Sequence, residues 1–242
     1  VEPMSNKHPE YMTTSKERLS YWTYFVGQNV YYNITAAFIS TYLAMQGIAL
    51  WKVSLVLLIV KIWDAVNDPI FGYIFDKVKF KSGQKSLPWL RIAVALIPVV
   101  TIILFSIPGG MSETGKLIWF GVAYVLWDIS FGVDDIAYWS LMPAISKDQK
   151  VREGVGAVAR ICANVGMFAV VVLYTMVPDL FGKPARQSYF LFTLIIVALM
   201  WIFQAFTVFG VKEDRSGLAH RQHTSLKGML HALLKNDQLM VT

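Results

Sequence analysis

Long apolar runs alternate with short polar breaks along this chain, and the runs have membrane dimensions. A helix crossing the hydrocarbon core needs about 20 mostly apolar residues. Six stretches reach that length: 19–48, 53–76, 88–107, 115–143, 152–177 and 187–211. Gln46-Gly47 divides the first pair, a basic loop ending at Pro88 the second, and Pro108-Gly109-Gly110 closes the third. Pro178 and Pro184 bracket the gap before the sixth run, because a proline inside a helix removes one hydrogen bond and crowds the preceding turn. The pattern predicts an all-α membrane protein with six transmembrane helices. Residues 1–18 read as a polar segment without the apolar core of a signal peptide, 19–211 as the helical bundle, and 212–242 as a tail. From Ser225 the tail sets Leu226, Met229, Leu230, Leu233 and Leu234 against Lys227, His231 and Lys235. That spacing predicts an amphipathic helix, lying on the membrane or packed in a loop. Asn236 to Thr242 then turns apolar, as if a further span were beginning.

Composition agrees. The chain is 55% hydrophobic and 16% charged, against about 25% charged in soluble domains. Its net charge of +6 would suit nucleic acid if the bases shared one face, but they collect in short loops instead. Sixteen of the 22 lysines and arginines fall in residues 1–18, 77–91, 147–152 and 212–242, while Lys52, Lys116, Lys183 and Arg186 lie on the other side. Such a bias marks the cytoplasmic side of a membrane protein. Both termini are therefore predicted to be cytoplasmic, and a nucleic-acid partner is excluded. Cys162 is the single cysteine, so no intrachain disulfide can form.

Candidate chemistry lies inside the spans. An ionised carboxylate at membrane depth costs roughly 2.5–3.5 kcal/mol on the lenient insertion scale, yet the second span holds Asp64 and Asp68, with Lys61 one turn earlier. Residues four apart share a helix face at about 5–6 Å, where two negative charges repel by about 3 kcal/mol at an effective dielectric near 20. Either one carboxyl keeps a proton or a cation sits between them. Asn67 points away from that face. A static Lys61–Asp64 ion pair is the plainer alternative, but it leaves Asp68 without a partner. The fourth span carries Asp128, Asp134 and Asp135. Neighbours on a helix point about 100° apart, so Asp134 and Asp135 cannot both face one cavity. Trp139 follows Asp135 by one turn. A carboxylate that accepts from sugar hydroxyls, beside an indole that faces the ring's C–H side, makes a sugar-binding pair; an interfacial aromatic belt is the other reading of the tryptophan. Gln28 and Asn29 in the first span and Arg160 in the fifth stand at similar depth. A substrate hydroxyl could bridge Asp135 and Arg160. Asp76, Lys77 and Lys85 in the second loop are candidates for gating or for topological anchoring.

Two segments resemble a known family. Lys61-Ile-Trp-Asp-Ala-Val-Asn-Asp-Pro69 and Asp135-Ile-Ala-Tyr-Trp-Ser-Leu-Met-Pro143 are similar to motifs of the glycoside-pentoside-hexuronide:cation symporters. Gly72-Tyr-Ile-Phe-Asp76-Lys77, with Gly83 and Lys85, resembles the loop motif of the major facilitator superfamily. The resemblance runs from about Leu19 through the sixth span. It implies symport of a sugar or glycoside with Na⁺, Li⁺ or H⁺ and no cofactor. It assigns the cation to Asp64 and Asp68 and the sugar to Asp135, Trp139 and Arg160. Where the best-known member has a first-helix aspartate preceded by lysine, this chain has Asn29 preceded by Gln28; Lys61 replaces an arginine, and Gly132 a threonine tied to the cation site. Superfamily members have about twelve spans in two halves with the site between them. The chain is thus expected to be an N-terminal half, partnered by membrane lipid and by a C-terminal six-helix half; a natural half that dimerises is the rival. Three other functions remain open: a lysolipid carrier of the same fold, a channel or sensor, and a metal-dependent membrane phosphotransferase built on Asp64, Asp68 and Asp76.

Overall fold

The computed structural model describes residues 13–146, 148–181 and 185–213. Its described residues form six long helices and one short one: α1 Ser15–Met45, α2 Leu50–Lys77, α3 Ser86–Leu104, α4 Glu113–Ser140, α5 Met142–Ile145, α6 Gln149–Phe181 and α7 Ala185–Gly210. No strand occurs among them. The amphipathic tail helix expected from Ser225 lies outside the described residues, as does most of the polar N-terminal segment.

Local chemistry sets the boundaries. Thr14 opens α1 with a capping box: its hydroxyl accepts from the Glu17 N–H at 3.3 Å, and the Glu17 carboxylate accepts from the Thr14 N–H at 2.7 Å. Such a box satisfies two of the backbone donors that every helix start leaves open. Gln46 and Gly47 end α1, with Gly47 at φ 78°, a conformation glycine reaches without steric cost. Pro88 sits in the first turn of α3, where its missing N–H has no partner to lose. The Ser112 hydroxyl accepts from the Gly115 N–H at 3.2 Å and opens α4. Proline marks one boundary less faithfully than expected: α6 does not stop at 177 but continues through Pro178 to Phe181. Between packed helices, neighbours and local adjustment re-satisfy the carbonyl that a proline frees.

Four helices are long and apolar enough to cross a membrane on their own: α3, α4, α6 and α7. The other two fall short because of what they carry. α2 contains Lys52, Lys61, Asp64 and Asp68, and α1 is rich in tyrosine, asparagine and glutamine. Within the bundle α1 packs on α6 and α7, α3 on α4 and α7, and α2 chiefly on α4. Two apolar cores result. One, around Tyr42, Leu104, Phe105 and Phe120, fills the end where α1 meets the start of α2. The other, around Tyr21, Tyr24, Leu90, Tyr138 and Val155, fills the opposite end. α6 approaches α1 closely at Gly166, where a Cβ would lie 2.9 Å from the Val26 carbonyl oxygen. The outward faces of α2, α6 and α7 remain greasy, with Phe168 and Phe209 among the most exposed residues.

Candidate functional site

α4 is flanked by polar groups on two sides, facing α2 on one and α1 on the other. Toward α2, Asp64 is half-buried and its carboxylate accepts from the Lys61 ammonium at 3.0 Å. The ion pair anticipated as the plainer alternative therefore forms, and Asp68 is left outside it. Asp68 is exposed on the described half, and its Oδ1 lies 3.8 Å from where a Cβ on Gly132 would stand. Asp68 therefore lies against α4 at Gly132, at a distance that a Cβ there would meet as an ordinary contact. Asp128, one turn before Gly132, comes within interaction distance of Asp64 across the seam. Its Oδ2 is buried without a hydrogen-bond partner. Asn67 is only 2% exposed, and its Oδ1 likewise lacks a partner. The α2–α4 seam therefore gathers carboxylate oxygens of the kind a hard cation takes, while nothing among the described residues brings the Asn67 amide to them. Among the described residues no three His, Cys, Asp or Glu side chains converge tightly enough to hold a metal ion; the oxygens line a seam and do not form a closed cage.

Toward α1, the Gln28 amide donates to Asp135 Oδ1 at 2.9 Å, and the Trp139 indole N–H donates to the same oxygen at 3.2 Å. Three of the expected sugar-site residues thus meet. Gln28 is 1% exposed, with its own Oε1 unpartnered, while Asp135 and Trp139 are half-buried. Phe25 meets the Trp139 ring edge-on at 5.2 Å and fixes its plane. The other two expected members stand apart. Asn29 donates to the Phe25 carbonyl at 2.9 Å, folded back on its own helix. Arg160 is exposed on α6 and makes no hydrogen bond with Asp135.

The loop candidates form a cluster of their own. Lys85 pairs with Asp76 and lies 5.2 Å from the Phe75 ring centre, while Lys77 lies over Tyr73 at 4.6 Å. The group that completes this cluster carries no mark in the sequence. The Glu213 carboxylate, just beyond α7, accepts from the backbone N–H groups of Lys85, Ser86 and Leu87 at 3.0–3.1 Å. An anion at that place satisfies the open donors of α3 and complements its dipole. Asp134 was also unassigned. It is fully buried and accepts from the Tyr24 hydroxyl. The signal for both was absent from local spacing, since Glu213 and Lys85 lie 128 residues apart and Tyr24 and Asp134 lie 110 apart.

Known proteins resemble the chain along nearly its whole length. A family model described as MFS/sugar transport protein matches residues 21–242. A lactose permease of Lactobacillus delbrueckii subsp. bulgaricus is 28% identical over 92% of this chain and 38% of its own length. A raffinose carrier protein of Pediococcus pentosaceus is 26% identical over the same shares. An inner membrane symporter of Escherichia coli (strain K12) is 26% identical over 92% of this chain and 48% of its own length. The chain therefore spans less than half the length of these relatives. Permeases, carriers and symporters move solutes and do not transform them, so the phosphotransferase alternative falls. With the six-helix pattern, the two motif segments and the matched model in agreement, the chain belongs to the MFS/sugar transport protein family of multi-pass membrane transporters.

Proposed function

We propose that the chain is the N-terminal half of a cation-coupled sugar or glycoside symporter, with both termini on the cytoplasmic side and a second six-helix half closing the pathway. Asp64 and Asp68 bind the coupling cation, Na⁺, Li⁺ or H⁺. Asp135, Trp139 and Gln28 bind the sugar, with Asn29 and Arg160 joining when substrate arrives. One observation carries the reading: a single helix, α4, borders both groups, with Gly132 against Asp68 and Asp135 against Gln28 three residues later. A cation drawn into the first seam acts on the helix that presents the sugar carboxylate. Two ligands that favour the same arrangement of one element each raise the other's affinity by the same factor, and symport draws on such coupling. The polar, hydrogen-bonding character of the Asp135 group favours a sugar over a lysolipid, whose bulk is apolar.

Uptake by the intact transporter tests this. Labelled lactose and raffinose are the first probes, with and without Na⁺ or Li⁺ and across pH. Gradient-driven accumulation is expected, and Asp64→Asn or Asp68→Asn should abolish it while sparing sugar binding. Asp135→Ala should weaken sugar binding by at least tenfold, the scale of a lost hydrogen bond to a charged group. Coupling that survives in both second-helix variants, or normal sugar binding by Asp135→Ala, overturns the assignment.

A further inference from the structure

The join between α1 and α4 is made by side chains. The main packing partners of α4 are α2 and α3, and those of α1 are α6 and α7. Across the remaining gap, Tyr21, Tyr24 and Gln28 on α1 meet Asp134, Asp135 and Tyr138 on α4. Tyr24 donates to Asp134, Gln28 donates to Asp135, and the Tyr138 hydroxyl donates to the Tyr21 carbonyl at 2.9 Å. The Tyr21 and Tyr138 rings stack with centres 4.3 Å apart. The α1 residues recur at three, four and seven positions, one face of a helix.

Within this join the Tyr24–Asp134 bond has the least freedom. Both side chains are fully buried, and Asp134 Oδ2 has no partner, so among the described residues Tyr24 supplies the hydrogen bonding of this carboxyl. A buried polar group without a partner is costly, so losing Tyr24 would favour a small local rotation of α4 around Asp134, within what its packing on α2 and α3 allows. The neighbour Asp135 sits about 100° further round the same helix and would turn with it. Gln28 is a second tie, but its bond ends on Asp135 itself, a half-buried side chain, whereas the Tyr24 bond ends on a fully buried one.

We propose that the Tyr24–Asp134 pair positions the sugar site, fixing the rotation of α4 that presents the open oxygen of Asp135 to substrate. Neither residue touches sugar. The proposal rests on the reading of Asp135 as a substrate ligand. Asp64 and Asp68 reach α4 from α2, and Asp64 keeps its own bond to Lys61, so the direct loss falls on sugar and the cation side feels only the part passed on through α4.

The test is sugar uptake and cation activation in the intact transporter, with labelled lactose and raffinose as probes. Tyr24→Phe keeps the ring and removes the donor. It should raise the sugar KM about tenfold while the half-activating concentration of cation moves less than about threefold and the melting temperature in detergent drops by only a few degrees, the scale of one buried group losing its partner. Asp134→Asn keeps an acceptor for Tyr24 and should stay within about twofold of the unsubstituted protein, whereas Asp134→Ala should match or exceed the Tyr24→Phe defect. An unchanged KM in Tyr24→Phe overturns the proposal. So does an equal fall in sugar affinity and cation activation with a melting temperature lowered beyond those few degrees, which marks a purely structural bond. Asp135→Ala separates the two levels: normal sugar binding there defeats the ligand assignment itself, while a loss there beside a normal Tyr24→Phe defeats only the positioning role.

Discussion

Asp135 Oδ1 receives two N–H donors, from Gln28 and Trp139, which in the proposed sugar site leaves the other oxygen for an incoming hydroxyl. The tryptophan then has two separable properties, a donor that aims the carboxylate and a flat face for a sugar ring. Trp139→Phe removes the first and keeps most of the second. Its sugar affinity should fall by about fivefold, the value of one modest hydrogen bond. Trp139→Ala removes both and should lose roughly tenfold more, since a large aromatic contributes most through the area it covers. Equilibrium binding to the intact transporter measures both; equal losses in the two variants would mean that the ring face contributes nothing. Four of these polar residues could be picked out from spacing alone. Asp64 and Asp68 share a face, Asp135 and Trp139 share another, and charged groups inside apolar runs are conspicuous because each is costly. Asp128, Asp134 and Glu213 could not be placed in the same way. Their partners lie on other helices, and helical periodicity says which face a residue occupies but not which neighbour that face meets.

At the level of elements, the six helices were legible because hydrophobic length is a strong signal in a bilayer. The ends were less so. Pro178 has the look of a terminator in the sequence, yet α6 runs on to Phe181, as Pro69 and Pro98 also stand inside α2 and α3. Neighbouring helices and local adjustment re-satisfy the freed carbonyl in such places. Glycine shows the converse, a residue whose importance only packing reveals. At Gly166 the α6 backbone comes so near α1 that a Cβ would meet the Val26 carbonyl oxygen at 2.9 Å, with Val30 at 3.3 Å. Backbone cannot swing aside as a flexible side chain can. Gly166→Ala should therefore push α6 from α1 at a cost of about 1–3 kcal/mol, typical of overpacking, and Gly166→Leu should cost more. Thermal unfolding in detergent reads both, with Gly154→Ala as the control, since nothing lies within 4 Å of a Cβ there. Equal stability in the Gly166→Ala and Gly154→Ala proteins would show that the bundle is looser than its geometry implies.

Taken as one molecule, the half is fastened at both rims. On the side with few basic residues, Lys52 pairs with Glu113 at 2.6 Å and Lys116 donates to the Gln46 carbonyl at 2.7 Å, which closes the α1–α2 turn onto the start of α4. On the basic side, Asp76 from α2, Lys85 from the loop, the first turn of α3 and Glu213 beyond α7 form one cluster. The cluster joins the ends of α2, α3 and α7, three helices that would otherwise slide separately when the two proposed halves rock about the central site. It also fixes where the chain leaves α7. Exposed ion pairs contribute little by themselves, but Glu213 is different, since three backbone donors converge on it and the α3 dipole adds to them. Glu213→Ala should lower stability by about 1–2 kcal/mol, within the range measured for helix caps, or about 3–6 °C for a chain of this size. Two readings of the loop then separate. If the cluster is a gate part, uptake per folded molecule should fall while equilibrium sugar binding stays constant, because a loosened rim slows the exchange of conformations without altering the pocket. If it is a topological anchor, melting temperature drops and transport per folded molecule does not. Glu213→Gln, which keeps an acceptor but not the charge, should fall between the unsubstituted and alanine proteins on whichever axis moves.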